Sequence, residues 1–345
     1  MLRRRFIQWI GAAPAYCTPL LAADTPAGAP PNWQLPTLGG MQYWADERIF
    51  RGYRIQRNAA TGHYRLLDPN DERLAWGTYE QCREKLDALI RDERLKPLPK
   101  RLVLTLHGIV RSRHSMNGIA EYVREHGRTA VYQVGYPSTL ESIPEAAATL
   151  DRLVRRLEGV EELDFIAFSM GNLVLRHWLG DLAEAARRRL AEAQPVVEPS
   201  RPKVRRCVMI GPPNQGAARA RLWQDSTVGR ELYSLVLGDA GNQLGGRFGE
   251  IKDRLATPDA EFGIIAGGKG NATGWHDDIP GDDDGTVGVE ETKLPGAADF
   301  TIVPVRHTWL TGDERVQRMT LSFLDHGYFR SAAERAPLAA LPVSR

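Results

Sequence analysis

From residue 100 onward, short and nearly continuous apolar runs alternate with stretches whose apolar residues fall at helical spacing. Leu102-Val103-Leu104-Thr105-Leu106 reads as a strand buried on both faces, because a strand with one wet face would alternate apolar with polar. Ala130 to Val134, Leu163 to Phe168, Val204 to Ile210, Phe262 to Ala266 and Phe300 to Val305 repeat that signature. A helix is expected over residues 115–126. Another opens near Pro144, where a missing N–H costs nothing, and lines up Ala147, Leu150, Val154 and Leu157. A last helix starts at Thr311-x-x-Glu314, the spacing of a capping box, and carries Val316, Met319, Phe323 and Leu324. Such alternation specifies the α/β class: a mostly parallel sheet with helices on both faces.

The pattern is different before residue 98. Tyr53 to Gln56 and Tyr64 to Leu67 are short strand-like runs, and Asn58 to Gly62 between them supplies turn chemistry, so a hairpin is expected. Thr78-x-x-Gln81 has capping-box spacing and opens a helix with Tyr79, Cys82, Leu86, Leu89 and Ile90 on one face. Lys96-Pro97-Leu98-Pro99 then breaks the chain. Residues 41–97 are therefore a small N-terminal α+β appendage, 98–330 the main domain and 331–345 a C-terminal tail. The chain begins Met1-Leu2-Arg3-Arg4-Arg5-Phe6-Ile7, followed by a mildly apolar stretch to Ala23 that is broken by Pro14 and Pro19. This is the layout of an export leader over residues 1–23, with a small-residue cleavage site at Leu21-Ala22-Ala23. Arg-Arg-x-Phe-Ile resembles a twin-arginine signal, with Leu2 where Ser or Thr is usual. Residues 24–40, rich in Pro, Gly and Ala, read as a linker. A periplasmic or extracellular location is expected.

Composition narrows the partners. The net charge is +2, which gives no electrostatic case for nucleic acid. Of the 45 basic residues 38 are arginine, an excess read as compositional, with specific use confined to one or two of them. Cys17, Cys82 and Cys207 form no CxxC or Cys/His spacing, so no metal site is expected, and no cofactor. Cys207, within Arg206-Cys207-Val208-Met209-Ile210, reads as an inert buried thiol in preference to one half of a Cys82–Cys207 bridge.

In open parallel sheets chemistry gathers at the carboxyl ends of the strands. The third of these strands runs into Ala167-Phe168-Ser169-Met170-Gly171 and then a helix through Leu173, Val174, Leu175 and Trp178. A serine at the apex of a sharp strand-to-helix turn, flanked by small residues two before and two after, is the form of a nucleophile elbow. The Met170 backbone N–H, near the helix start, is then placed to meet an oxyanion. The first strand ends in His107-Gly108-Ile109, where Ile109 N–H is the second candidate donor and His107 reads as a packed loop histidine. A serine nucleophile needs a base, and the base needs a carboxylate to fix its tautomer. On this architecture they follow in the order Ser, acid, His. His276, His307 and His326 follow the serine. His307, just after the last strand, is favoured; His326 reads as a helix-end cap, and His276 precedes the acids. Asp282-Asp283-Asp284-Gly285-Thr286-Val287 follows the fifth strand, and Asp284 is favoured over Asp282 and Asp283. A solvated turn and a calcium site are the other readings of that run, the latter short of ligands.

These segments together are similar to the serine lipases and esterases of the α/β-hydrolase fold, nearest to bacterial triacylglycerol-lipase-like and GPI-inositol-deacylase-like members. The resembling stretches are Leu106-His107-Gly108-Ile109, Tyr136-Pro137-Ser138, Ala167-Phe168-Ser169-Met170-Gly171-Asn172, Ile210-Gly211-Pro212-Pro213-Asn214-Gln215-Gly216, Asp283-Asp284-Gly285-Thr286-Val287 and His307-Thr308. They cover about two thirds of the chain, in family order. The resemblance implies Ser169 as nucleophile, Asp284 as acid, His307 as base, and Ile109 and Met170 as oxyanion donors. Ala167, Phe168 and Asn172 depart from the usual Gly, His and Gly of the family's elbow.

The implied activity is hydrolysis of a small-molecule or lipid carboxylic ester through an acyl-enzyme, with a lipid surface as a transient contact. A thioesterase, amidase or acyltransferase using the same three residues is the alternative, and a binding protein that keeps only the fold is the other. Residues 217–262 hold Leu222, Trp223, Leu232, Tyr233, Leu235, Val236 and Leu237, and read equally as a lid or as helices packed on the sheet. Arg111 and Arg113 follow the oxyanion loop, where they could meet an anionic group of a substrate or stay solvated.

Overall fold

The computed structural model describes residues 40–192, 201–217, 220 and 238–340. The expected leader, all but the end of the expected linker, Cys17, and Leu222, Trp223, Leu232, Tyr233, Leu235, Val236 and Leu237 lie outside the described residues.

Six parallel strands form the central sheet: β5 (Arg101–Leu106), β6 (Ala130–Val134), β7 (Glu162–Phe168), β8 (Lys203–Ile210), β9 (Glu261–Gly267) and β10 (Asp299–Val303). Their spatial order is β6-β5-β7-β8-β9-β10, every neighbouring pair parallel. The near-continuous apolar runs are explained by two cores. Leu102, Leu104 and Leu106 of β5, with Leu163, Phe165 and Ala167 of β7, enter one; Val103, Ile166 and Phe168 enter the other. The first core is covered by α3 (Ile143–Val154) and α4 (Gly171–Ala191), the second by α2 (Asn117–Gly127) and a last helix, α5 (Glu314–His326). The expected six strands and flanking helices are all present. β6 lies to one side of β5, and β7 through β10 to the other. The order therefore reverses between β5 and β7, and a crevice for ligand opens at such a reversal, at the strands' carboxyl ends. This is the α/β-hydrolase arrangement.

Local signals act as expected with one exception. Thr78 caps α1 (Tyr79–Asp92) through a reciprocal box with Gln81, and Ser142 does the same for α3 with Glu145. Thr311 does not cap α5. It lies in a 3-10 turn, His307–Gly312, and Asp313 takes the capping role by accepting from Arg315 and Val316 N–H. A charged carboxylate at the helix start satisfies two otherwise unbonded donors and meets the helix dipole.

The N-terminal part is larger than a hairpin and helix. The expected hairpin is β2 (Tyr53–Asn58) and β3 (Tyr64–Leu67), and β1 (Trp44–Phe50) and β4 (Arg73–Gly77) extend it to an antiparallel sheet in the order β1-β2-β3-β4. Ile49, Ile55, Leu66, Cys82 and Leu86 share one continuous core with Leu104 and Leu150, so the appendage is fused to the main domain. The 331–340 stretch is also tied down, with Leu338 N–H on Ala297 O at 2.9 Å and Ala336 N–H on Asp299 at 2.9 Å. Of 217–262, the described part packs on the sheet, with Ala240, Leu244 and Ile251 in the same core. Cys82 and Cys207 are buried free thiols rather than a bridge, and burial pushes the Cys82 thiol up to about 11.

Where the N-terminal sheet meets the end of β6, a buried ion pair is bonded to the β6 backbone. Asp46 of β1 is fully buried and accepts from Arg54 Nη1 at 2.6 Å, Gln56 Nε2 at 2.8 Å and Gly135 N–H at 2.7 Å. Asp46→Ala leaves the buried Arg54 unpaired and is expected to cost about 3–5 kcal/mol, as removal of one buried partner does. A lower urea midpoint at an unchanged m-value, corresponding to that loss of free energy, is the expected result; an unchanged midpoint contradicts the role of Asp46.

Candidate functional site

The elbow is built by the ends of β7, β5 and β8. Ser169 follows the last residue of β7 with φ of 52°, a left-handed conformation that a side chain holds only when its surroundings insist. Its N–H donates to Ile210 O at 2.9 Å, and Asn172 closes the turn by donating its N–H and its Nδ2 to Ser169 O at 3.0 and 2.9 Å. Gly171 is required sterically: a Cβ there would lie 2.7 Å from Leu106 O and 2.9 Å from His107 O. A Cβ on Gly108 would lie 3.1 Å from Ser169 Cβ, so glycines on both sides let the turn after β5 sit directly against the serine.

His307 begins the 3-10 turn after β10, and its own N–H donates to Asp284 O at 2.9 Å. Asp284 lies on the loop after β9. Its Oδ1 accepts from Thr286 and Val287 N–H at 2.9 and 2.8 Å, which aims Oδ2 at His307 Nδ1, 2.6 Å away. A carboxylate only accepts, so Nδ1 donates and Nε2 is left bare. Nε2 lies 2.9 Å from Ser169 Oγ, whose hydroxyl donates to it. Asp284 is 1% exposed, Ser169 7% and His307 8%, so all three are buried, the carboxylate most deeply. Two further glycines make room. A Cβ on Gly267 would strike Asp284 Cβ at 2.6 Å, and one on Gly211 would lie 3.1 Å from His307 Cε1.

Of the three candidate carboxylates, only Asp284 bonds to a histidine ring. Asp282 accepts from Lys269 and Gly270 N–H at 2.7 and 2.8 Å, and Asp283 from Gly285 N–H at 2.6 Å and His276 N–H at 3.2 Å; both shape the loop. His326 ends α5 and stacks on Tyr328, away from the line. Ile109 lies in the turn after β5 and Met170 directly before α4. Among the described residues, neither N–H has a protein acceptor. Arg113 is engaged by Asp71, while the Arg111 guanidinium lies 5.8 Å from the Phe168 ring, which in turn lies 4.9 Å from His307. Asn172, Gly211 and Gly267 carry site functions that sequence reasoning did not assign. Asn172 acts within its own turn, whereas Gly211 and Gly267 make room for His307 and Asp284, distant in sequence, and no local pattern announces that.

His107 is fully buried and stacked on Tyr136 at 4.0 Å, with Nδ1 donating to Gly108 O at 2.8 Å. Nε2 finds no partner among the described residues, and burial lowers the ring's pKa to about 4. It is a packed neutral histidine, not a second base.

No family model matches the chain, and no curated protein matches it in sequence. Several solved structures resemble the chain at low identity. The lin2722 gene product of Listeria innocua is 17% identical over 71% of this chain and 99% of its own, with a TM-score of 0.44. The metagenomic carboxyl esterase MGS0156 is 14% identical over 62% of this chain and 67% of its own, with a TM-score of 0.43. Carboxylesterase CesB of Bacillus subtilis is 15% identical over 66% of this chain and 85% of its own, with a TM-score of 0.38.

The His107 environment has a pH signature. An exposed imidazole takes up its proton near 6.5, and the folded protein refuses it until about 4. The stability that this refusal represents is complete above 6.5 and is lost as pH falls toward 4, a difference of order ~3 kcal/mol. His107→Gln removes that dependence. Urea midpoints at about pH 7.5 and about pH 4.5 are expected to diverge less in His107→Gln than in the wild type. Equal divergence contradicts the assignment.

Proposed function

We propose that the protein is a serine carboxylic-ester hydrolase. The observation that carries this reading is the single hydrogen-bonded line from Asp284 through His307 to Ser169, at 2.6 and 2.9 Å, seated at the sheet's reversal point. Ser169 Oγ attacks the ester carbonyl as its proton passes to His307 Nε2. Asp284 holds the ring in the required tautomer and stabilises the imidazolium that forms. The tetrahedral oxyanion receives the N–H groups of Ile109 and Met170, fixed donors that need no reorganisation. The intermediate collapses as His307 gives its proton to the departing alkoxide, which leaves an acyl ester on Ser169. His307 then takes a proton from water; the hydroxide attacks the acyl carbon, and the carboxylic acid leaves as the proton returns to Ser169. The near-neutral chain and the two backbone donors suit an uncharged ester whose only charge develops in the transition state. His307 alternates between base and acid in both halves of the cycle, while Asp284 orients it throughout.

Ser169→Ala is expected to lower kcat on p-nitrophenyl butyrate by about 10⁴–10⁶-fold with the fold intact. Asp284→Asn, which permits the wrong tautomer, is expected to lose about 10⁴-fold. Steady-state rates on purified protein check both, with melting curves as the folding control. Wild-type-like turnover by Ser169→Ala overturns the reading. Parallel rates on ester, thioester and amide analogues separate it from the alternatives that share the three residues.

A further inference from the structure

The turn that carries Ile109 is held from outside the catalytic fold. We propose that Gln42 and Asp71, both belonging to the N-terminal sheet and its turns, are positioning residues that keep the Ile109 N–H aimed at the reacting carbonyl. The inference rests on the ester-hydrolase reading and gives the N-terminal sheet a part in it.

The turn is fixed at its near end from within the catalytic fold. Tyr136 Oη donates to His107 O, and His107 Nδ1 donates to Gly108 O at 2.8 Å. The Gly108 carbonyl and the Ile109 N–H are opposite ends of one planar trans peptide, so holding the carbonyl dictates where the N–H points. The next residue is under strain. Val110 has φ of 58°, a region that β-branched side chains rarely enter, and it is 53% exposed, so packing does not hold it there. Left alone, the turn would relax to negative φ and rotate the adjoining peptides.

The far end is where the outside contacts fall. Immediately after Val110, Arg111 O accepts from Gln42 Nε2 at 2.7 Å. Gln42 Oε1 is itself anchored, 3.1 Å from Ser138 Oγ and 3.2 Å from Thr139 Oγ1. Ser138 Oγ also lies 3.3 Å from Arg111 O, so its one proton serves either acceptor. Two residues further on, Asp71 binds the Arg113 guanidinium with one oxygen and lies 3.0 Å from His114 Nε2 with the other. Asp71 sits in the turn between β3 and β4, itself at φ of 67°. The strained residue beside the oxyanion donor is thus clamped between His107 and two side chains that reach over from the antiparallel sheet.

The test uses the full chain with three variants. Gln42→Glu keeps shape and acceptor but cannot donate to Arg111 O, Gln42→Leu removes both functions, and Asp71→Ala frees Arg113. For each, kcat and KM on p-nitrophenyl butyrate are measured per active site, the sites being counted by fluorophosphonate labelling. The inhibition constant of a trifluoromethyl ketone, whose hemiketal oxyanion needs the same donors, is measured alongside. Expected is a fall in kcat of about ten- to a hundredfold, below the 10²–10³ that outright loss of one oxyanion donor costs. KM stays within about twofold, and the ketone's inhibition constant rises in step with the loss of kcat. Adding Val110→Asn, a residue that tolerates positive φ, to Gln42→Leu is expected to recover part of both. Variants whose kcat per site and ketone binding match an active wild type overturn the brace alone, as does a fall in melting temperature with ketone binding unchanged. A wild type that neither turns over nor labels removes the ester-hydrolase reading, and the brace with it.

Discussion

The close approach of the β7 elbow to the end of β5 is the constraint on which the rest of the site depends. With a Cβ at Gly171 meeting Leu106 O at 2.7 Å and one at Gly108 meeting Ser169 Cβ at 3.1 Å, the two strand ends touch backbone to backbone. That contact sets the turn bearing Ile109 against the elbow bearing Met170, the two residues proposed as oxyanion donors. It also requires the left-handed Ser169, held by Ile210 O on the neighbouring strand and by Asn172. A looser elbow would still present a serine, but not one fixed against two preset donors. Preset donors are worth more than mobile ones, since they need not reorganise as charge develops.

A second design theme is the burial of charge in matched sets. β1 carries Asp46, Glu47 and Arg48 in a row, and all three are buried. Asp46 takes Arg54; Glu47 takes Arg152 at 2.7 Å and Arg156 as well; Arg48 takes Asp87 at 2.9 Å and Glu158 at 3.1 Å. On the far side of the central sheet, buried Asp164 takes Arg101 at 2.8 Å and Arg205 at 2.8 Å. The arginine excess is thus structural in good part, against the expectation that it was compositional. The guanidinium's fork of donors allows one side chain to serve a carboxylate and a carbonyl together, as Arg54 does with Asp46 and Gln133 O. Breaking any one of these pairs would leave a buried charge without its counter-ion, which is strongly destabilising.

The legible parts of the sequence were those where burial and apolarity coincide. β5, β7 and β9 announced themselves because both of their faces are dry. The elbow and Asp284 were legible because their turns demand particular small or acidic residues. β1 was not, since its buried positions are charged and periodicity counts charge as exposure. Thr311 was misread as a cap because Thr-x-x-Glu spacing is common, and only the intervening 3-10 turn shifts the start to Asp313. Gln42, Asp71, Gly211 and Gly267 act on residues distant in the chain, and a single sequence carries no signal for such pairs.

In the proposed mechanism one serine, Ser169, is activated, and the Asp284–His307 pair activates it. Intact-mass and peptide-mapping spectrometry of the wild type after exposure to a fluorophosphonate tests it most directly. One adduct per chain is expected, located on the peptide that contains Ser169 and absent from Ser169→Ala and from His307→Ala. An unlabelled wild type, or an adduct on a different serine, would contradict it.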